Sequence, residues 1–239
     1  MGWYTIPNYC KPPKIMQVEK YTAVDTQLHL IEIFKSIQGE TSFSGLPTTF
    51  IRLAACNLRC SWCDTSYSFG RGEPYSIDQI ISFVQQYKCK HVCITGGEPL
   101  LQQAVYFLMS TLCDLGYSLS LETSGSIFIR NVDLRVHVIL DVKCPGSGMS
   151  ERNDWRNLYE LRAKDEVKFV VKDREDYLFA RKTCEKYDLF SRVKPVLFSP
   201  VHAVLDPKNL VQWILEDDLP VRLNLQIHKF IWPPDQKGV

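Results

Sequence analysis

Three cysteines stand within one short segment, Cys56-Asn57-Leu58-Arg59-Cys60-Ser61-Trp62-Cys63, in the spacing C-x3-C-x2-C. Thiolates this close can hold one metal centre from one side, and soft sulfur selects zinc, copper(I) or an iron–sulfur cluster. No fourth Cys or His follows at matching spacing. A structural zinc site closes with four ligands, so three leave one position open for a group that is not protein. Buried free cysteines, or a zinc site completed by a distant residue, are the blander readings. Further along, Gly96-Gly97-Glu98-Pro99 joins two glycines, which let backbone approach a ligand closely, to a carboxylate just ahead of a helix that can meet an ammonium group. A bare Gly-Gly turn is the alternative there.

The elements that must position these residues read as strands alternating with helices. His29 to Phe34 and Thr48 to Leu53 have the composition of strands, the second ending just before Cys56. Ser76-Ile77-Asp78-Gln79 reads as a capping box, with Ile77, Ile80, Ile81 and Val84 at helical spacing behind it. His91 to Thr95 predicts a strand that passes through Gly96-Gly97 into a helix with Pro99 in its first turn and Gly116 as its stop. Further strands are expected at 117–122, 137–142, 166–171, 193–198 and 221–227, with helices at 154–163, at 173–187 and from Asp206-Pro207 onward. Such alternation implies parallel βαβ units, and about seven strands in one chain favour a barrel or partial barrel over two domains. The expected fold is therefore α/β, a partial (β/α) TIM-type barrel over residues 28–239, preceded by a proline-rich N-terminal arm at 1–27. In such folds chemistry gathers beyond the C-terminal ends of the strands. The cysteine cluster, Gly96-Gly97-Glu98-Pro99, Glu122-Thr123-Ser124-Gly125 and Asp141-Val142-Lys143 all fall there, as a single active site requires.

Composition narrows the partners. The 239 residues are 45% hydrophobic and 23% charged, an ordinary soluble balance. Twenty-eight Lys and Arg against 27 Asp and Glu leave a formal charge of +1, with no global field for a phosphate backbone, so no nucleic acid partner is expected. No apolar run reaches about 18 residues, and Pro7, Lys11, Pro12, Pro13 and Lys14 interrupt any signal-like stretch, so no membrane partner is expected. Nine cysteines, an odd number, suit a reducing, cytoplasmic setting.

The cysteine spacing, with aromatic Trp62 just before the last thiol, resembles the signature of the radical S-adenosylmethionine superfamily. The resemblance implies that Cys56, Cys60 and Cys63 hold a [4Fe-4S] cluster whose open iron is chelated by S-adenosylmethionine. It also implies one-electron cleavage of that molecule to methionine and a 5′-deoxyadenosyl radical, which removes a hydrogen atom from the substrate. The Gly97-Glu98 segment resembles the one contacting the methionyl amino group.

Ser36-Ile37-Gln38-Gly39-Glu40, Cys63-Asp64-Thr65, Leu121-Glu122-Thr123-Ser124-Gly125 and the closing Gln226-Ile227-His228-Lys229-Phe230 together resemble the 7-carboxy-7-deazaguanine synthase family, from about Ile31 to the C-terminus. In that family 6-carboxy-5,6,7,8-tetrahydropterin undergoes hydrogen abstraction, ring contraction and loss of ammonia, on the way to queuosine. The resemblance implies that Arg52 holds the substrate carboxylate, for which the alternative is a surface ion pair. It likewise places Ile37, Gln38, Gly39, Glu40, Thr95 and the terminal Val239 against the pterin, although the tail could instead cover the barrel bottom or a dimer surface. Thr65 matches a hydroxyl ligand to Mg2+, or else is a turn residue bonding its own backbone. Glu122, Asp141, Val142, Lys143, Ser199, Pro200, Val201 and His202 match S-adenosylmethionine contacts, though Asp141-Val142-Lys143 stands where many members have Ser-Pro-Lys. A flavodoxin or ferredoxin as electron donor and a homodimer are implied as well. Two competing readings remain: a glycyl-radical activase of the same superfamily, which would leave Ile37-Gln38-Gly39-Glu40 unexplained, and a non-catalytic zinc-binding interaction module. His29, His91 and His137 are expected to be structural, and Cys10, Cys89, Cys93, Cys113, Cys144 and Cys184 to be small hydrophobes.

Overall fold

A computed structural model describes residues 27–239, so the expected N-terminal arm lies outside the described residues except for Gln27, which already belongs to the first strand. One nine-stranded sheet organises the described chain. Its strands are β1 (Gln27–Ile37), β2 (Pro47–Leu53), β3 (Glu73–Ser76), β4 (His91–Gly96), β5 (Ser118–Thr123), β6 (His137–Val142), β7 (Glu166–Val171), β8 (Val196–Pro200) and β9 (Arg222–Leu223). The spatial order is β3-β1-β2-β4-β5-β6-β7-β8-β9. From β2 to β9 every pairing is parallel, whereas β1 runs antiparallel to both β2 and β3. The sheet curls into an open, partial barrel. β3 was not legible as a strand, and its Pro74 suits the edge position that it takes.

The helices are α1 (Ile77–Tyr87), α2 (Ala104–Asp114), α3 (Asn157–Glu160), α4 (Arg174–Lys186), α5 (Leu189–Arg192), α6 (Pro207–Glu216) and α7 (His228–Ile231). The Ser76 capping box forms as its sequence predicts: the hydroxyl accepts from Gln79 N–H, and the Gln79 side chain accepts from Ser76 N–H. Asp173 and Asp206 likewise cap α4 and α6.

Three expected elements come out shorter. Pro99 opens only a 3-10 turn, Pro99–Leu101, and α2 begins at Ala104. Between them the Gln102 side chain exchanges hydrogen bonds with His29 N–H at 2.7 Å and the His29 carbonyl at 2.9 Å, anchoring the turn to β1. The helix expected over 154–163 shrinks to α3, because Arg162 turns away to Asp165 and the Val136 carbonyl, while buried Asn157 serves the Gly125 and Ile127 carbonyls. The last strand, expected over 221–227, ends at Leu223: Asn224 still donates to the Phe198 carbonyl and the Ser199 hydroxyl of β8, but its Oδ1 accepts from Thr41 N–H, and Gln226 and Ile227 then bond to the β1–β2 loop.

Alternation along the strands divides the interior in two. Ile51, Leu53, Val92, Ile94, Leu119, Leu121, Val138, Leu140, Val167 and Phe169 face outward and pack with Ile80, Val84, Val105, Leu108 and Leu112 of the helices as one continuous core. The intervening positions carry Arg52, Cys93, Thr95, Glu122, Asp141 and Lys168. A polar lumen lies inside an apolar shell.

The β1–β2 loop closes the barrel floor. Phe43 stacks on His91 with ring centroids 4.2 Å apart and meets His137 edge-on at 4.8 Å. The His91 ring bonds to Ser120 at 3.0 Å, and His137 to the fully buried Glu166 at 3.0 Å. Both histidines are structural, as expected. Burial lowers the His91 pKa to about 4, with His137 adding to the shift. The folded protein therefore keeps His91 neutral while the unfolded chain protonates it below pH 6.5, so stability is unaffected above that pH and declines as pH falls towards 4. The decline is worth up to about 3 kcal/mol. Urea unfolding at pH 7 and pH 4.5 is expected to show a smaller loss in His91→Gln than in the wild type; equal losses would assign the acid sensitivity elsewhere.

Candidate active site

The cysteine loop hangs from the end of β2 and is braced by the three strand-end loops beside it. Gly97 backs directly onto it, since a Cβ there would collide with the Ala55 carbonyl and lie 2.7 Å from Cys56 Cβ. That close approach is the local reason for glycine after β4. Asn57 and Ser126, beyond β5, exchange side-chain hydrogen bonds at 3.0 and 3.2 Å. Ser61 donates through its N–H to the Ser147 carbonyl at 3.0 Å and through its hydroxyl to the Gly146 carbonyl at 2.9 Å, beyond β6.

Cys56, Cys60 and Cys63 are half-buried free thiols on the wall of one cavity of about 560 Å³. Burial pushes all three thiols up, and neighbouring thiols add to this at Cys56 and Cys60 and the Asp64 carboxylate at Cys63, while the Lys143 ammonium acts in the opposite sense. Among the described residues no three His, Cys, Asp or Glu side chains converge on the position of a single ion. A cubane cluster offers a different iron to each thiolate, so three soft donors spread along one wall suit it better than they suit zinc.

The same cavity gathers most of the other residues singled out from sequence. Ile37, Gln38, Gly39, Glu40, Arg52, Thr95 and Val239 line it, and so do Thr65, Gly97, Glu122, Asp141 and Lys143. Ser199, Pro200, Val201 and His202 complete its β8 side. Two residues expected to contact S-adenosylmethionine have their side chains outside this lining. The Glu98 side chain is fully buried outside the cavity lining, and its carboxylate accepts from Leu100 N–H at 3.0 Å, the Thr123 hydroxyl at 2.9 Å and Ser124 N–H at 2.8 Å. It ties the β4 loop to the β5 loop and has no face left for a ligand ammonium. Val142 also lies outside the lining, because strand alternation turns its side chain into the hydrophobic core.

Charge in the lumen is tightly matched. Arg52 Nε donates to Glu32 Oε1 at 2.7 Å, the same oxygen that accepts from the Tyr67 hydroxyl at 2.9 Å. Among the described residues the two Nη groups of Arg52 have no partner. The Arg52 ion pair exists, but it uses one edge of the guanidinium and leaves the other for a ligand. Lys168 donates to Glu40 Oε2 at 2.9 Å, and Lys143 pairs with Asp141 Oδ2 at 3.0 Å. Asp141 Oδ1 is buried without a hydrogen-bond partner, an acceptor that a bound ligand would satisfy. Gln38 donates to Glu122 Oε1 at 3.2 Å, and burial raises the Glu122 pKa. Burial alone would raise Glu40 too, but the Lys168 charge and its hydrogen bonds hold Glu40 below the usual carboxylate range.

The C-terminal segment docks onto this assembly. Ile227 N–H donates to the Gly39 carbonyl at 2.9 Å, and a Cβ on Gly39 would collide with the His228 ring. Gln226 donates to Glu40 at 2.8 Å and to Asp64 at 3.1 Å, while Lys229 pairs with Asp64 at 2.9 Å. The Thr65 hydroxyl donates to the other Asp64 oxygen at 2.9 Å, which leaves its lone pairs free for a cation. Lys168 was not singled out from sequence, and Asp64, Gln226 and Lys229 entered only as members of motifs, with no role assigned. Lys168 was discoverable, since Glu166-Val167-Lys168-Phe169 alternates polar with apolar; the other three depend on contacts that no local pattern announces.

A family model described as the radical SAM superfamily matches residues 50–139. The 7-carboxy-7-deazaguanine synthase of Koribacter versatilis is 45% identical over 226 residues, covering 89% of this chain and 100% of that protein. The enzyme of the same name from Chlorobaculum tepidum is 42% identical over 221 residues, covering 91% and 100%. Among solved structures, QueE from Escherichia coli superposes with a TM-score of 0.71 at 23% identity, covering 84% of this chain and 95% of that one. A radical SAM methyltransferase from Sphaerobacter thermophilus shares the fold at a TM-score of 0.54 and 13% identity, covering 78% and 68%.

Proposed function

The chain belongs to the 7-carboxy-7-deazaguanine synthase family of the radical SAM superfamily, and from that membership we propose that it converts 6-carboxy-5,6,7,8-tetrahydropterin into 7-carboxy-7-deazaguanine with loss of ammonia. The observation that carries the reading is the meeting of the three thiols, the Arg52 guanidinium and the C-terminal Val239 on one cavity. Cys56, Cys60 and Cys63 would hold the [4Fe-4S] cluster. When bound, the cluster and S-adenosylmethionine supply an electron and an acceptor for the substrate hydrogen atom.

The chain's own residues bind and orient. Gly97, Glu122, Asp141, Lys143, Ser199, Pro200, Val201 and His202 line the side assigned to S-adenosylmethionine. Arg52 offers its free edge to the pterin carboxylate, while Ile37, Gln38, Gly39, Glu40 and Thr95 line the side assigned to the ring. An anaerobic incubation with S-adenosylmethionine, reductant, magnesium and the carboxypterin is expected to yield the deazapurine by mass analysis. 5′-Deoxyadenosine formed without it would point to another radical substrate.

Three finer parts belong to the same proposal. Thr65 would hold Mg2+ together with substrate oxygens and water, so Thr65→Val is expected to weaken the magnesium dependence of turnover, and an unchanged magnesium titration would return Thr65 to its turn role. Val239 would meet the pterin; Lys237, two residues before it, lies over the Tyr67 ring at 4.3 Å. Deleting Lys237 to Val239 is expected to raise the pterin KM by about tenfold, the worth of one charge-assisted contact, with cluster content unaltered. Wild-type kinetics would show that the tail does not hold the substrate. A cytoplasmic setting, a flavodoxin or ferredoxin donor and a homodimer complete the proposal; among the described residues no helix is long and apolar enough to cross a membrane.

A further inference from the structure

Lys168, in the middle of β7, has no part in the roles assigned above. It stands between core residues Val167 and Phe169, its side chain is 9% exposed, and it lines the cavity. A buried ammonium is costly unless carboxylates surround it. Here Nζ donates to Glu40 Oε2 at 2.9 Å and lies 3.8 Å from Asp141 Oδ2, on the residue directly opposite in the β6–β7 register. Burial alone would favour the neutral amine, but Glu40, Asp141 and Glu122 together keep Lys168 charged.

The two carboxylates belong to different arms of the site. Glu40 rides the β1–β2 loop and is gripped from its other side by Gln226 of the C-terminal segment. Asp141 lies near the end of β6, beside Lys143 and the buried oxygen that has no partner. On the family reading, the first carboxylate faces the pterin and the second faces S-adenosylmethionine. An ammonium carries three N–H donors, and among the described residues only Glu40 accepts one from Lys168. The cation is thus placed between the two subsites.

We propose that Lys168 is a positioning residue shared by both ligands: its ammonium fixes Glu40 by a hydrogen bond and balances Asp141 across the β6–β7 ladder. The inference rests on the family reading of the two subsites. One consequence is thermodynamic. A donor brought to either carboxylate changes the charge balance around a single cation, so the two ligands bind with a coupling that runs through Lys168, and the coupling factor is the same in both directions.

The test uses the full-length, cluster-loaded protein without reductant, so that nothing turns over, and measures binding of S-adenosylmethionine and of the carboxypterin by anaerobic equilibrium dialysis. Each ligand is titrated alone and in the presence of the other. Lys168→Met is expected to weaken both by about tenfold or more, the effect of removing one partner of a buried charge pair, and to bring the coupling factor to one. Lys168→Arg should recover part of both affinities. A loss confined to one ligand, or to neither, overturns the shared role.

If Lys168→Met fails to take up the cluster, Glu40→Gln supplies the measurement. It leaves Lys168 free to move towards Asp141 and compete with the ligand donor there, so S-adenosylmethionine should bind more weakly although Glu40 lies on the pterin side. Unchanged S-adenosylmethionine affinity in Glu40→Gln would overturn the inference. Wild-type protein that binds S-adenosylmethionine but not the carboxypterin would instead refute the family reading. Wild-type protein that binds both, with the variants unaffected, would refute only the role of Lys168.

Discussion

Alanine at any one of Cys56, Cys60 and Cys63 is expected to abolish both cluster assembly and S-adenosylmethionine cleavage. The reason is the size of the ligand set: the motif supplies three thiols, and among the described residues no other cysteine lines the cavity. With two thiolates left, a cluster that already depends on a non-protein ligand at its fourth iron has a second iron without a protein ligand. Cys89→Ala and Cys184→Ala are the controls. Both thiols are buried away from the cavity, so their loss should cost some packing while brown colour, iron content and cleavage persist. Full turnover in any single variant of the motif would refute the ligand assignment. Stoichiometric zinc in colourless wild-type protein prepared anaerobically would favour the interaction module.

The next largest effect is expected at Arg52. Its Nε is committed to Glu32, and Glu32 is held in turn by Tyr67, so the guanidinium plane is fixed before any ligand arrives. The Phe34 and Tyr67 rings each lie 5.9 Å from its Cζ. A fixed fork with two unused Nη groups can take a carboxylate bidentately, whereas a lysine ammonium cannot both pair with Glu32 and present two parallel donors. Arg52→Lys should therefore lower kcat/KM for the carboxypterin by about a hundredfold. Cluster content and S-adenosylmethionine affinity should stay at wild-type values. A pterin lacking the 6-carboxylate should bind the wild type and Arg52→Lys alike. If the variant discriminates between the two pterins as strongly as the wild type, the carboxylate is held elsewhere.

Chemistry written in adjacent residues was legible without coordinates. The cysteine triad, the Ser76 capping box and the motifs after β4, β5 and β6 are each local, and a thiol spacing or a strand's alternation carries its meaning within a few residues. The parallel succession from β2 onward was legible for the same reason, because helices fill the gaps that parallel neighbours require. The antiparallel placement of β1 was not, since a strand's own pattern does not say which neighbour it pairs with. Glu98 shows the limit of motif reading. Its sequence context suits a ligand ammonium equally well, and only the arrival of Thr123 and Ser124 turns the carboxylate inward.

By itself, then, the sequence determined the ligand-bearing loop, the succession of elements and the polar face of each strand, all set by short-range covalent spacing. Tertiary structure alone decided which polar groups meet. Lys168 reaches Glu40 across 128 residues, Gln226 reaches Asp64 across 162, and Lys229 reaches Asp64 across 165. Asn224 bridges β8 and the β1–β2 loop, and Gln226 and Ile227 then bond to that loop. Buried donors and acceptors must find partners once the barrel excludes water, and the partner they find is whichever complementary group the fold has brought within reach.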